Sequence, residues 1–209
     1  MPISVGITGG IGVGKTVVTK VFSTLGIPVY DADSRAKILL NSDPELVQSI
    51  TKEFGENSYK SGELNRRYLA ETVFNNSDRV EVLNSLVHPR VALDFENWRT
   101  QHKDKAYLIK EAALLVESGS YKELDQMIVV DSSDELRMAR ILKRDPERSV
   151  DEVKAIMSKQ IPQAEKLQLA DFVIDNNGKI PLIKQVVDID RKIKRMLNST
   201  LSGQWPEAQ

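Results

Sequence analysis

The chain has 209 residues, of which 41% are hydrophobic and 28% are charged, and it contains no cysteine. This length and composition predict one soluble globular domain and exclude disulfide scaffolds, cysteine-based zinc sites and thiol catalysis. Lysine and arginine (29) nearly balance aspartate and glutamate (30), which leaves a net charge of −1 and no overall basic field that would hold nucleic acid. No apolar stretch approaches the roughly 20 residues of a membrane span and no secretory signal is recognisable. We therefore expect a cytoplasmic protein that binds neither nucleic acid nor membrane.

The N-terminal segment has the pattern of an α/β fold. Ile3–Thr8 is short, apolar and β-branched, and a glycine-rich turn follows it. Residues 16–25 place their apolar side chains on one helix face, and residues 27–30 form a second apolar run. Strand, glycine turn, helix and strand in this order predict an α/β fold with a parallel sheet.

The rest of the chain alternates a long helical stretch with further strands. Between residues 34 and 102 we expect helices, with no convincing strand, and Pro89 is expected to kink or split one of them. Further strands are expected at residues 106–110, 127–130 and 172–174, and helices at residues 134–144, 150–160 and 181–197. The resulting expectation is a single domain with an α/β core at about residues 1–59, 104–136 and 169–200, a helical insertion at about 60–103, a lid at about 137–168 and a loose tail at 201–209.

Residues 9–16 read Gly-Gly-Ile-Gly-Val-Gly-Lys-Thr and match the phosphate-loop motif G-x-x-x-x-G-K-[ST] without a mismatch. Such glycines let successive N–H groups point at phosphate oxygens, and the following helix adds its positive dipole end. Lys15 suits the β- and γ-phosphates and the Thr16 hydroxyl suits Mg²⁺, so we expect ATP as phosphoryl donor with Mg²⁺ as cofactor. The expected phosphate-binding residues are Gly10, Ile11, Gly12, Val13, Gly14, Lys15, Thr16 and Val17.

Other phosphate-binding classes fit this loop less well. The dinucleotide motif G-x-G-x-x-G fails because its third glycine would stand at Lys15. A GTPase base-reading motif begins at Thr51-Lys52 but lacks its aspartate. Large mechanical ATPases are longer, which leaves a small phosphotransferase.

Two carboxylates follow predicted strands, where loops at the carboxyl ends of a parallel sheet share one edge. Asp33 follows the second strand and suits either proton acceptance from an attacking hydroxyl or Mg²⁺ binding through water. The alternative is that Asp31 or Asp33 only caps the next helix. Glu111 ends the strand at residues 106–110 and is a candidate second Mg²⁺-supporting carboxylate, or else a surface acid.

Arg137, Arg140 and Arg144 share one face of a predicted helix. Planar guanidinium groups stabilise the charge that develops on a transferred phosphoryl group, and an arginine-bearing helical lid can exclude water. The alternative is a solvated face that pairs with neighbouring acids. The pattern does not say which arginine would contact phosphate.

Five segments in order resemble the dephospho-CoA kinases. They are residues 8–16, Asp31-Ala32-Asp33, His88-Pro89, residues 114–117 and residues 170–178. The resemblance implies a P-loop three-layer α/β core with a five-stranded parallel sheet, a helical substrate-binding region and a lid. It also implies transfer of the γ-phosphoryl group of ATP to the ribose 3′-hydroxyl of dephospho-CoA, the last step of coenzyme A biosynthesis.

The resemblance also implies roles for particular residues. Asp33 would be the general base, Lys15 and Arg140 would stabilise the transferred group, and Thr16 would support Mg²⁺. Further roles follow at matching positions: Arg144, Asn176 and Gly178 beside ATP, and His88 and Glu117 beside the acceptor. Departures from the family pattern are Ala113, where proline is usual, and Lys37, where arginine is frequent.

Two alternatives remain open at this point. One is a P-loop kinase of nucleosides or nucleoside monophosphates, and the other is a non-catalytic, ATP-binding regulatory module. The small-molecule partners expected are ATP and dephospho-CoA, and the oligomeric state expected is a monomer or a weak homo-oligomer.

Overall fold

The computed structural model of the protein describes residues 1–73 and 76–202. In chain order its elements are β1 (Ile3–Thr8), α1 (Lys15–Thr24), β2 (Val29–Asp31), α2 (Ala32–Ser42), α3 (Pro44–Phe54), β3 (Tyr59–Lys60), β4 (Glu63–Leu64), α4 (Arg66–Val73), α5 (Ser77–Gln101), β5 (Tyr107–Glu111), β6 (Gln126–Asp131), α6 (Asp134–Arg144), α7 (Val150–Ser158), α8 (Gln163–Gln168), β7 (Phe172–Asp175) and α9 (Leu182–Ser202). Single 3₁₀ turns lie at Glu56–Ser58 and Ser120–Glu123.

The main sheet has five strands in the order β2-β5-β1-β6-β7. β1 lies at its centre and pairs in parallel with β5 on one side and β6 on the other, and β6 pairs in parallel with β7. The predicted α/β fold with a five-stranded parallel sheet is therefore confirmed. Loops that follow β1, β5, β6 and β7 leave the sheet at one edge, as parallel strands require.

The core of this sheet is built from alternate strand residues. Val5 and Ile7 of β1 are fully buried, and the corresponding residues of the neighbouring strands face the same way. Val18 and Phe22 of α1 and three residues of α9 close this face. Parallel strands buried on both faces need such continuous apolar runs, which is why β1, β5 and β6 were readable from the sequence.

The described chain divides into two compact units. One comprises Met1–Tyr30 with His102–Gln209, and the other comprises Asp31–Gln101. The second unit thus begins at residue 31, whereas the sequence led us to expect a helical insertion from about residue 60.

The second unit is helical apart from one hairpin. α5 packs against α2 and α3, and Arg90 of α5 pairs with Asp43 (2.7 Å) and Glu45 (2.5 Å) at the start of α3. Burial acts to raise the pKa of Asp43, but hydrogen bonds from Arg90 and the Leu46 N–H hold it below its ordinary value. The start of α3 is therefore stabilised from within this unit.

One expectation for this region was wrong, and one of the two outcomes expected at Pro89 is excluded. A short antiparallel hairpin, β3–β4, lies in the stretch where no strand was expected. Its turn contains Ser61 and Gly62, both with positive φ (54° and 82°), which is the geometry of a tight hairpin turn and not of a helix break. Pro89 does not split its helix, since α5 continues through it.

The chain beyond β6 differs from expectation at helix ends. α7 ends at Ser158, and an additional helix, α8, begins after Pro162. α9 continues to Ser202, so the start of the expected tail is helical, and the rest of that tail lies outside the described residues. In the part of the chain that the structure describes, every helix is too short or too polar to cross a bilayer.

Candidate active site

The phosphate loop connects β1 to α1 and begins the helix where the motif predicts. Gly14 is the residue before α1 and has a left-handed backbone (φ 93°), which only glycine adopts without strain. Gly12 also has positive φ (83°), and a Cβ on it would lie 2.7 Å from the carbonyl oxygen of Arg137. The loop is therefore shaped both by its own backbone and by close contact with α6.

Lys15 folds back over the loop that precedes it. Its Nζ lies 2.9 Å from the carbonyl oxygen of Gly9 and donates a hydrogen bond to it. A second loop carbonyl, that of Gly10, lies 3.5 Å away. The ammonium group is thus held at the mouth of the loop, where a phosphate group would need its charge.

Glu111, at the end of β5, lies beside the first turns of α1. Its Oε2 atom is 3.0 Å from Thr19 Oγ1, and the Thr19 hydroxyl lies 3.2 Å from the carbonyl oxygen of Thr16. Among the described residues no group of three or more His, Cys, Asp or Glu side chains could hold a metal by itself.

Arg140 joins the phosphate loop to the turn that follows β7. Its guanidinium donates to the Asn176 carbonyl oxygen (2.7 Å) and to Ser132 Oγ (3.0 Å). Asn176 Nδ2 in turn donates to the Val13 carbonyl oxygen (2.7 Å). The structure therefore brings Arg140 and Asn176 to the loop, and Gly178 lies in the same turn with positive φ (84°).

The three arginines of α6 have different surroundings. The Arg137 side chain is 7% exposed and the Arg144 side chain is 61% exposed. Arg144 pairs with Asp145 at 2.8 Å, and this hydrogen bond from Arg144 is the main reason that the pKa of Asp145 lies below its ordinary value. The arginine face inferred from spacing is therefore not one functional surface.

Glu117, in the segment after β5, forms a buried ion pair. Its Oε1 atom accepts from Lys166 Nζ at 2.6 Å and from the Ile161 N–H at 3.2 Å. The Lys166 side chain is fully buried. Glu117 Oε2 is also buried and has no hydrogen-bond partner within the described part of the chain. Glu117 thus ties the segment between α7 and α8 to the sheet.

Asp33 and His88 belong to the second unit. The Asp31 carboxylate caps α2 by accepting from the Ser34 N–H (3.0 Å), so helix capping does not account for Asp33, which lies exposed in the first turn. His88 lies exposed on α5.

Comparison with known proteins identifies the family. The model of the dephospho-CoA kinase family matches residues 3–181 of the chain. A dephospho-CoA kinase of Bacteroides fragilis is 37% identical over 190 residues, which is 90% of this chain and 92% of that protein. The chain belongs to the dephospho-CoA kinase family.

Two solved structures are similar to nearly the whole chain. The dephospho-CoA kinase from Campylobacter jejuni is 29% identical, with a TM-score of 0.70 over 94% of this chain and 99% of that one. The protein TT1252 from Thermus thermophilus is also 29% identical and has a TM-score of 0.80 over 91% of this chain and 97% of that one.

Three polar side chains of this dephospho-CoA kinase family member were not found by sequence reasoning. Gln160 Oε1 accepts from the Ile11 N–H (2.8 Å), Gln163 Oε1 accepts from the Gly10 N–H (3.2 Å), and Lys166 pairs with Glu117. All three lie at or near α8, the helix that the sequence did not predict. Because α8 was not predicted as a helix, the sequence pattern could not indicate which of its side chains face the protein interior.

Proposed function

We propose that this protein transfers the γ-phosphoryl group of ATP to the ribose 3′-hydroxyl of dephospho-CoA, giving coenzyme A and ADP. The observation that carries the proposal is the family match over residues 3–181, which includes an intact phosphate loop with Lys15 at its mouth. We expect the reaction in the cytoplasm.

Phosphoryl transfer depends on positioning and on neutralising charge. Lys15 and Arg140 are proposed to neutralise charge on the transferred group, with Arg144 as a second lid arginine that would first have to leave Asp145. The loop of residues 10–17 is proposed to hold the β- and γ-phosphates; the Gly10 and Ile11 N–H groups, which donate to Gln163 and Gln160, would support the loop, and the N–H groups nearer Lys15 would face phosphate. Asn176 and Gly178 are proposed to lie beside the adenine.

Mg²⁺ is the proposed cofactor, with Thr16 as its protein ligand and Glu111 as its outer carboxylate. The metal would supply charge neutralisation between the β- and γ-phosphates. The position of Glu111 beside the first turns of α1 supports this pairing. A hydroxyl and one carboxylate are the kind of ligand set that Mg²⁺ uses with a nucleotide.

The acceptor side of the reaction is proposed to depend on Asp33, His88 and Glu117. Asp33 would accept the proton of the 3′-hydroxyl as this oxygen attacks the γ-phosphorus. Glu117 Oε2 is buried and accepts no hydrogen bond from the residues that the structure describes, which supports a role for this carboxylate as an acceptor of a hydrogen bond from substrate. We propose that the core binds ATP, that the helical insertion binds the acceptor and that the lid covers the transferred phosphoryl group.

The test is ADP release from Mg-ATP, measured alone and with dephospho-CoA, adenosine, other nucleosides or nucleoside monophosphates. We expect strong stimulation by dephospho-CoA only, with coenzyme A as product. The Lys15→Ala variant, measured in parallel, sets the background of any contaminating ATPase. Stimulation by a nucleoside or a nucleotide would instead assign a different acceptor. ATP binding without stimulation by any acceptor would favour a regulatory module.

A further inference from the structure

We propose that Arg137 is a positioning residue for the phosphate loop, and that residue 10 is glycine because the Arg137 guanidinium occupies the space that a side chain would need. The inference rests on the proposed use of this loop for ATP. It assigns to Arg137 a role different from those of Arg140 and Arg144, with which it shares a helix face by spacing.

The Arg137 side chain is almost withdrawn from water and directed at the loop. Its Nε donates to the Ile11 carbonyl oxygen at 3.0 Å, and its Nη1 donates to Asp134 Oδ1 at 2.7 Å. The arginine side chain is 7% exposed, whereas that of Asp134 is 74% exposed. The Arg137 guanidinium is therefore held by the exposed carboxylate of Asp134 and donates a second hydrogen bond to the backbone of the phosphate loop.

Gly10 is packed directly against this guanidinium. A Cβ built on Gly10 would overlap the Arg137 Nη2 atom and would lie 2.7 Å from its Cζ atom. Gly10 is not among the glycines with positive φ, so its backbone conformation is open to any residue. A side chain at residue 10 is therefore obstructed by the packed arginine, whose guanidinium would have to move to admit it.

The same loop peptides also donate hydrogen bonds to two glutamine side chains. The Ile11 N–H donates to Gln160 Oε1 at 2.8 Å, and the Gly10 N–H donates to Gln163 Oε1 at 3.2 Å. The Ile11 peptide groups are thus both hydrogen-bonded: the carbonyl oxygen accepts from Arg137 and the N–H donates to Gln160. Protein side chains hold the first half of the loop before any phosphate is present, which lowers the ordering cost of binding ATP.

The first experiment compares Arg137→Met and Arg137→Lys with the parent protein. We expect the Kd for Mg-ATP, measured without acceptor, and the KM for ATP to rise by roughly tenfold or more in Arg137→Met, because a charged hydrogen bond to the loop is lost. The KM for dephospho-CoA should change less than twofold. Arg137→Lys should recover part of the ATP affinity, since lysine retains one charged donor.

The control is Lys143→Met, which removes an exposed cation from the same helix and should leave the ATP affinity unchanged. A purely structural role would lower the yield or the melting temperature of Arg137→Met while the ATP affinity of the folded fraction stayed at the parent value. That result would overturn the proposal. If Arg137→Met does not unfold cooperatively, Arg137→Lys takes its place: weakened ATP binding would support the proposal, and lower stability with parent ATP affinity would overturn it.

The second experiment tests the packing explanation for Gly10. Gly10→Ala should weaken ATP binding in the parent protein, because its methyl group displaces the guanidinium. In an Arg137→Ala background the same substitution should change ATP affinity less than twofold, since the obstructing group is gone. Equal damage in both backgrounds would overturn the proposal. Because ATP affinity is measured without acceptor, these results do not depend on which acceptor the enzyme uses.

Discussion

At the scale of single residues, two aspartates that lie two positions apart have different surroundings and different roles. The Asp31 carboxylate caps α2: it accepts hydrogen bonds from both the backbone N–H (3.0 Å) and the hydroxyl (2.6 Å) of Ser34. Asp33 follows in the first turn of the same helix. The sequence left open which of the two is the cap, and the backbone geometry at Asp31 decides it.

Asp33→Asn should lower kcat by about 10²–10⁴-fold, the usual contribution of a general base, with the Kd for ATP nearly unchanged. Asparagine keeps the size and polarity of the side chain but cannot accept the proton of the attacking hydroxyl. The check is steady-state turnover beside an ATP-binding titration. Asp31→Asn is the matched control, because asparagine caps a helix as well as aspartate does. Near-normal turnover of Asp33→Asn would contradict the assignment.

At the scale of elements, α8 is held to the segment that follows β5 by the Lys166–Glu117 pair. A buried ammonium whose carboxylate lies 2.6 Å away is tolerated because its charge is compensated. The pair also receives the Ile161 N–H, so the short connection before α8 is fixed at the same point. We infer that α8 exists because of this tertiary contact and not because of its own six residues.

Lys166→Met should destabilise the protein by about 3 kcal/mol, since the substitution leaves Glu117 as a buried carboxylate without its countercharge. The measurement is the free energy of unfolding in urea. Lys184→Met is the control, because Lys184 is 71% exposed in its pair with Asp188, and its loss should scarcely change stability. Adding Glu117→Gln to Lys166→Met should restore part of the loss. A loss no larger than that of Lys184→Met would show that the pair is not holding α8.

α7 begins with a capping box that predicts a pH effect. The Glu152 carboxylate accepts from the Ser149 N–H (2.7 Å) and the Ser149 hydroxyl (3.0 Å), and these bonds lower the pKa of Glu152. A carboxyl pKa lowered by folding contributes stability above its unfolded value, and this contribution is lost as pH falls through the folded pKa. The start of α7 should therefore loosen in acid.

Ser149→Ala should raise the pKa of Glu152 part of the way back, because the hydroxyl donor is lost and the backbone donor remains. An NMR titration of side-chain carboxyls measures this directly. Glu135 at the start of α6, whose pKa is lowered by its own N–H and by Ser133, serves as the internal control and should not move. An unchanged Glu152 titration in Ser149→Ala would show that the Ser149 hydroxyl does not lower the pKa of Glu152.

At the scale of the whole molecule, a buried polar contact crosses the core of the first unit. The Tyr107 hydroxyl of β5 donates to Asp190 Oδ1 of α9 at 2.7 Å, and both residues are buried. Burial first, and then the hydrogen bond to Asp190, raise the pKa of Tyr107 above its ordinary value. This contact ties the long last helix to β5, and the Gln185 side chain of the same helix exchanges hydrogen bonds with the Asp175 backbone of β7.

Tyr107→Phe should destabilise the protein by about 1–3 kcal/mol near neutral pH, because Asp190 loses a buried donor. A raised folded-state pKa gives stability that is present below the unfolded tyrosine pKa and is lost as pH rises above it. The stability gap between parent and variant should therefore narrow between about pH 8 and about pH 11, measured by urea unfolding at each pH. A gap that stays constant with pH would exclude the hydrogen bond as its source.

The sequence by itself determined the features that depend on neighbouring residues. The phosphate-loop motif located the β1–α1 turn, the apolar runs located the central strands, and residues 134–144 were assigned to a helix with its observed bounds. Most other helices and strands of the first unit were placed with ends shifted by one or two residues. These features have short-range causes: steric freedom of glycine, side-chain period and helix capping.

Only the tertiary structure decided what the long polar side chains do. Arg137, Arg140 and Arg144 look equivalent in helical spacing, yet one is packed under the phosphate loop, one bridges to Asn176 and one is largely exposed. Helix α8, which carries Gln163 and Lys166, was likewise not predicted from the sequence. Apart from Arg144, which pairs with the adjacent Asp145, each of these side chains is held by a partner far away in the chain, and the local periods of a sequence carry no information about such partners.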